Sequence, residues 1–91
     1  MNERNKKFMY LWHLARFLVQ HEMVMSGQEL ADHLNRNKIR TSYGDEYEGG
    51  RGTYRLIQAV WAWINDSLGL PEEARFVAEA FVNADSVYAY E

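Results

Sequence analysis

The 91-residue chain contains no cysteine. That excludes a disulfide framework and thiolate chemistry, and it suits a reducing compartment, so a cytoplasmic location is expected. No apolar run reaches the about 20 residues a membrane span requires. The nearest candidate, Phe8 to Val19, is interrupted by His13 and Arg16. Arg4, Lys6 and Lys7 precede it in the manner of a secretory leader, but no small-x-small cleavage site follows. The stretch therefore reads as a core helix, and no membrane partner is expected. There is no internal repeat, low-complexity tract or linker, so residues 1–91 are expected to form a single domain. Proline occurs once, as Pro71, where it suits the first turn of a helix.

An excess of positive charge is also missing: the formal net charge is −3. Its distribution is uneven. Residues 1–55 carry nine basic and seven acidic side chains, a balance of +2, whereas residues 56–91 carry one basic and six acidic, a balance of −5. The acidity thus belongs to the C-terminal part, and the N-terminal part retains the means to present a basic face. What the chain has in quantity is apolar mass, 47% hydrophobic and 14% aromatic with three Trp, six Tyr and four Phe. A small chain with that content can build a core without staples.

Helical spacing dominates the pattern. From about Arg4 to His21, Phe8, Leu11, Trp12, Ala15, Leu18 and Val19 share one face, with Tyr10, Leu14 and Phe17 as a second stripe. Ser26-Gly27-Gln28-Glu29 is a capping-box pattern that opens a second helix, with Leu30, Ala31 and Leu34 inward and an end near Asn35 to Asn37. Lys38 to Gly52 is not helical. Ile39-Arg40-Thr41 is β-like, Gly44-Asp45-Glu46-Tyr47 has the composition of a hairpin turn, and Gly44, Gly49, Gly50 and Gly52 punctuate a polar loop. A third helix is expected from an N-cap at Thr53, with Tyr54, Ile57, Val60, Trp61 and Ile64 inward and Gly69 beyond its end. A fourth runs from Pro71 to about Asn83, with Ala74, Val77, Ala78, Phe81 and Val82 inward and Glu72 and Glu73 at its dipole-positive end. The alternating tail Val87 to Tyr90 reads as a short strand that could pair with residues 39–41. The fold expected is mostly α: four helices of helix-turn-helix or winged-helix type, with a minor β element.

Function points to Ser26–Gln58, where a short capped helix is followed by a connection and a second amphipathic helix. That is the skeleton of a helix-turn-helix, although the connection exceeds the usual three- or four-residue turn. The stretch Glu29-Leu30-Ala31-Asp32-His33-Leu34-Asn35-Arg36-Asn37-Lys38-Ile39-Arg40-Thr41-Ser42-Tyr43-Gly44 resembles the "LA..LN..gI.T..G" segment in the recombinase domain of large serine recombinases. In that family the segment joins two helices of a DNA-binding module, and an aromatic such as Tyr47 and a helix like 53–64 follow. The resemblance covers about residues 29–58, a third of the chain, and this sequence departs from it in the added Gly49-Gly50-Arg51-Gly52. The family's catalytic domain has no counterpart here. The resemblance therefore implies a DNA-binding module without strand exchange, a small regulator or accessory factor of the kind mobile elements encode.

The residue chemistry fits double-stranded DNA as partner. Arg51, Thr53, Arg55 and Gln58 would face outward at the start of the recognition helix, and Arg and Gln bond bidentately to guanine and adenine. Arg36, Lys38 and Arg40 would neutralise phosphates and set the register. Set against this, Arg, Gln and Thr are ordinary surface residues, and Asp45, Glu46 and Glu48 repel phosphate.

The remaining constellations carry no chemistry. Gly44 to Gly49 has P-loop glycine spacing, but Gly50-Arg51 stands where Lys-Ser/Thr is needed. His13, His21 and His33 match no metal-ligand spacing, so neither metal, cofactor nor enzymatic activity is expected. Glu72, Glu73 and Glu79 form a solvated face. Trp61 and Trp63 point about 200° apart on a helix, so they cannot share one core layer. One of them, or Tyr88 and Tyr90, could anchor an interface. The alternative function is accordingly a protein-interaction module, a homodimer or an adaptor, using exposed aromatics or the acidic C-terminal half.

Overall fold

Ser26 fixes the first joint of the chain. Its hydroxyl accepts from the Glu29 amide (3.1 Å), and the Glu29 carboxylate accepts from the Ser26 amide (3.1 Å). This reciprocal cap satisfies backbone donors that a helix start leaves unpaired and contributes about 1 kcal/mol. The computed structural model describes residues 3–41, 43–48 and 51–82, with the backbone alone for Glu3, Arg51 and Val82. The order is α1 (Glu3–Gln20), β1 (Met25–Ser26), α2 (Gly27–Arg36), α3 (Arg51–Ala62), a π turn (Trp63–Ser67), α4 (Pro71–Ala80) and β2 (Phe81–Val82). It is a small, mostly α domain. No helix among the described residues is long and apolar enough to cross a membrane.

The core is one cluster drawn from all four helices: Phe8, Leu11, Ala15 and Leu18 from α1, Leu30, Ala31 and Leu34 from α2, Leu56, Ile57 and Val60 from α3, and Ala74, Val77 and Ala80 from α4, with Ile64 and Phe81. α1 and α4 lie side by side. Trp12 donates to Glu73 (3.2 Å), and Arg16 lies 3.7 Å from Glu73 and over the Phe76 ring. The contacts advance together along both helices, so the two run in the same direction. The chain leaving each therefore emerges beside the other, and β1 pairs with β2 in parallel, Met25 opposite Phe81 and Ser26 opposite Val82.

This pairing corrects the expected β element. Residues 39–41 are not a strand, and Val87 to Tyr90 lie outside the described residues. α4 also stops at Ala80 rather than near Asn83, because Phe81 and Val82 turn extended to meet β1. The residues around Gly44 form a turn closed between Thr41 and Asp45.

α3 begins at Arg51, not at a Thr53 cap. Its buried stripe is Thr53, Leu56, Ile57 and Val60, continued by Ile64 of the π turn, and Tyr54 is exposed. The inward face is rotated from the Tyr54–Trp61 register because Thr53 continues the row of Ile57, Val60 and Ile64 at helical spacing. All three Trp are half-buried. Trp63, in the π turn, packs edge-on to Trp12 (6.2 Å between ring centres) and beside Phe8 (5.6 Å), while Trp61 lies against the core from α3. Gly69, at φ +66°, ends the segment as expected.

α1 and α2 close in the same way. The Met23 and Glu22 amides reach back to Leu18 and Val19 carbonyls (2.8 and 3.1 Å), and the Ile39 and Lys38 amides reach Leu34 and Asn35 carbonyls (2.9 and 3.1 Å). Both are Schellman closures, which place one residue in the left-handed region and usually use glycine there. Here those residues are Glu22 (φ 54°) and Lys38 (φ 59°).

Candidate functional site

The connection from α2 to α3 is held by one side chain. The Asn35 amide donates to the Tyr47 carbonyl (2.9 Å) and accepts from the Tyr47 amide (2.8 Å). It takes the place of a neighbouring strand and satisfies both backbone groups of a buried residue. Lys7 fastens the same loop from α1, donating to the Arg40 carbonyl (2.5 Å) and the Tyr47 hydroxyl (2.8 Å), with its ammonium over the Tyr47 ring. Between these ties, Thr41 organises a turn. Its amide donates to the Asp45 carbonyl (2.8 Å), its carbonyl accepts from Gly44 (2.9 Å), and its hydroxyl accepts from the Tyr43 and Asp45 amides (3.2 and 3.1 Å). Gly44 takes φ +85°, a conformation that favours glycine.

The anchored loop forms the floor of an open groove, walled by the first turns of α1 and the start of α3. Arg4, Lys6, Lys7, Lys38, Arg40 and Arg55 line it, six of the ten basic residues in the chain. Asp45, Glu46 and Glu48 also line it, which leaves the groove three charges positive on a molecule whose formal charge is −3. The amino-terminal end of α3 opens on the groove through Gly52, and its dipole adds to the positive potential.

The expected DNA-contacting residues divide on this geometry. Lys38, Arg40 and Arg55 come together in the groove. Arg40 is partly engaged, with Glu46 at 3.9 Å and the Asn35 carbonyl at 3.3 Å. The side chains of Lys38, Arg55 and Gln58 are exposed and make no hydrogen bond or ion pair among the described residues. Arg55 and Gln58, three residues apart, share the outer face of α3. Arg36 is exposed in the last turn of α2, where it complements the helix dipole, and does not line the groove. Thr53 is completely buried, so its expected outward role is corrected: it sits on the core stripe of α3. The Arg51 side chain lies outside the described residues, although its backbone starts α3.

Sequence reasoning missed Arg4, Lys6, Lys7 and Tyr43 as groove residues. The signal for the first three was present as a cluster of cations within four positions, but nothing local tied it to residues 38–55. Among the described residues no group of His, Asp and Glu is placed to hold a metal ion.

Lys38 occupies its left-handed position at a cost that glycine would avoid. An L-residue there costs about 1–2 kcal/mol, against which glycine loses about 0.4–1 kcal/mol through the unfolded chain. Lys38→Gly is therefore expected to stabilise the fold by about 0.5–1 kcal/mol in chemical denaturation. A decrease in stability would show that the lysine stem contributes packing the closure needs.

No family model matches the chain, and no curated protein or solved structure does so either.

Proposed function

We propose that the domain binds double-stranded DNA, as a small non-catalytic regulator or accessory factor, through the cationic groove and the outer face of α3. The observation that carries this reading is the gathering of six cations in one concavity of an acidic chain. Phosphate contacts supply most of the affinity of such an interface, and a local field outweighs the sign of the whole molecule once the Debye length, about 8–10 Å, is short relative to the domain. In this reading α2, the 37–50 connection and α3 act as a helix-turn-helix-like unit with an extended connection. Arg55 and Gln58 address base edges, and Lys38 and Arg4 address the backbone. The resemblance of residues 29–58 to the recombinase-domain segment supports the same assignment.

Binding to labelled duplex DNA at low salt, repeated over a salt series, tests it. Lys38→Ala is expected to weaken all duplexes alike by a few-fold and to reduce the salt slope by about 1. Arg55→Ala is expected to cost about tenfold on a preferred site and to relax the preference at one base position. Absence of binding at micromolar protein, or affinity indifferent to salt and to both substitutions, defeats the proposal.

A second reading, a protein-interaction module, rests on Phe17, Met23 and Val24, three large apolar side chains left half-exposed around the end of α1. Single exposed apolar residues are ordinary, and grouped ones mark interfaces. Light scattering over a concentration series detects the homodimer form of this reading, which the groove does not require.

A further inference from the structure

We propose that Tyr43 inserts at a base step of the bound duplex, so that the domain prefers DNA whose stacking is already interrupted. The inference rests on the duplex-binding reading above. Tyr43 lines the groove and is 91% exposed, the most exposed large hydrophobic side chain among the described residues. It adds nothing to the core, and its hydroxyl has no partner among the described residues. Yet the backbone beneath it is tied down by hydrogen bonds among the described residues. Four hydrogen bonds converge on Thr41, and Asn35 and Lys7 hold the loop at Tyr47. An aromatic ring on a fixed support loses only side-chain rotation when it binds, which lowers the ordering cost of the contact.

The charges around the tip indicate what the ring meets. Asp45 and Glu46 stand next to the turn, so a phosphate is repelled there, whereas a neutral base is not. Lys38, Arg4 and Arg55 line the same groove, and in this proposal they hold the backbone while the ring addresses the bases. Unstacking an intact step costs about as much as stacking the freed base on an aromatic side chain returns. Insertion into intact DNA is thus close to balance. Insertion at a step that is already open is favourable, and that difference generates the preference.

Three labelled probes of one sequence test this with the full chain: a paired duplex, the duplex with a single-nucleotide bulge flanked by 2-aminopurine, and the single strand. The bulged duplex is expected to bind about tenfold tighter than the paired one, a difference of about 1.4 kcal/mol, with a change in 2-aminopurine emission. Tyr43→Phe is expected to retain the preference. Tyr43→Ala is expected to bring bulged and paired duplexes within about twofold of each other. Equal affinity of the unmodified chain for both duplexes, or a preference that survives Tyr43→Ala, overturns the insertion and leaves duplex binding standing. Failure to bind either duplex, or tighter binding of the single strand, overturns the duplex reading itself.

Discussion

Phe81→Ala is expected to lower stability by about 3–5 kcal/mol, the range for removing a buried phenylalanine from a core that cannot collapse around the gap. Phe81 is completely buried and sits at a junction: its side chain belongs to the core cluster, while its backbone pairs with Met25. A domain of this size holds only about 5–15 kcal/mol in total. The expected decrease in Tm is roughly 15–30 °C, measurable by circular dichroism or calorimetry. Phe17→Ala provides the control, since the same ring is removed from a position that is 51% exposed and stacked only on His21 among the described rings. It should cost about 1 kcal/mol or less. Equal effects at the two positions would mean that Phe81 does not occupy the core.

Asn35→Leu is expected to cost about 2–4 kcal/mol and, under the proposed function, to weaken duplex binding about tenfold, with the helices retained. Leucine has the same reach but offers neither donor nor acceptor. The amide and carbonyl of Tyr47 then lose partners in a partly buried site, at about 1–3 kcal/mol for each unsatisfied group. Asn35→Asp separates hydrogen bonding from shape. It keeps an acceptor for the Tyr47 amide but turns an oxygen toward the Tyr47 carbonyl, so it is expected to be nearly as damaging. Hydrogen exchange at the Tyr47 amide reads the clamp directly: protection should fall in Asn35→Leu before the protection of α1 or α4 does. If that variant keeps its stability and the protection of the Tyr47 amide, the loop is held by something other than the Asn35 side chain.

The legible parts of the fold were those decided by a few neighbouring residues. The Ser26–Glu29 cap depends on a spacing of three, and the breaks at Gly69 and Pro71 depend on single residues. Thr53 was misread because its local signals, a hydroxyl after glycines and before apolar residues, fit a cap equally well. Only packing shows that it continues the Ile57–Val60 row. The β1–β2 pair escaped notice because two residues per strand leave no alternation, and its cause is the common direction of α1 and α4. The site was half legible for the same reason. Lys38, Arg40 and Arg55 stand in a continuous stretch of chain, whereas Arg4, Lys6 and Lys7 come from its other end, Lys7 through contacts 33 and 40 positions apart.

Those distant contacts make the basic concavity an all-or-none possession of the whole molecule. One wall comes from the beginning of the chain, and its floor is pinned by an ammonium from that same wall. Grafting only the stretch from Ser26 to Ile64 onto another scaffold would carry over the outer face of α3 but leave behind half of the positive lining and the fastening that shapes it.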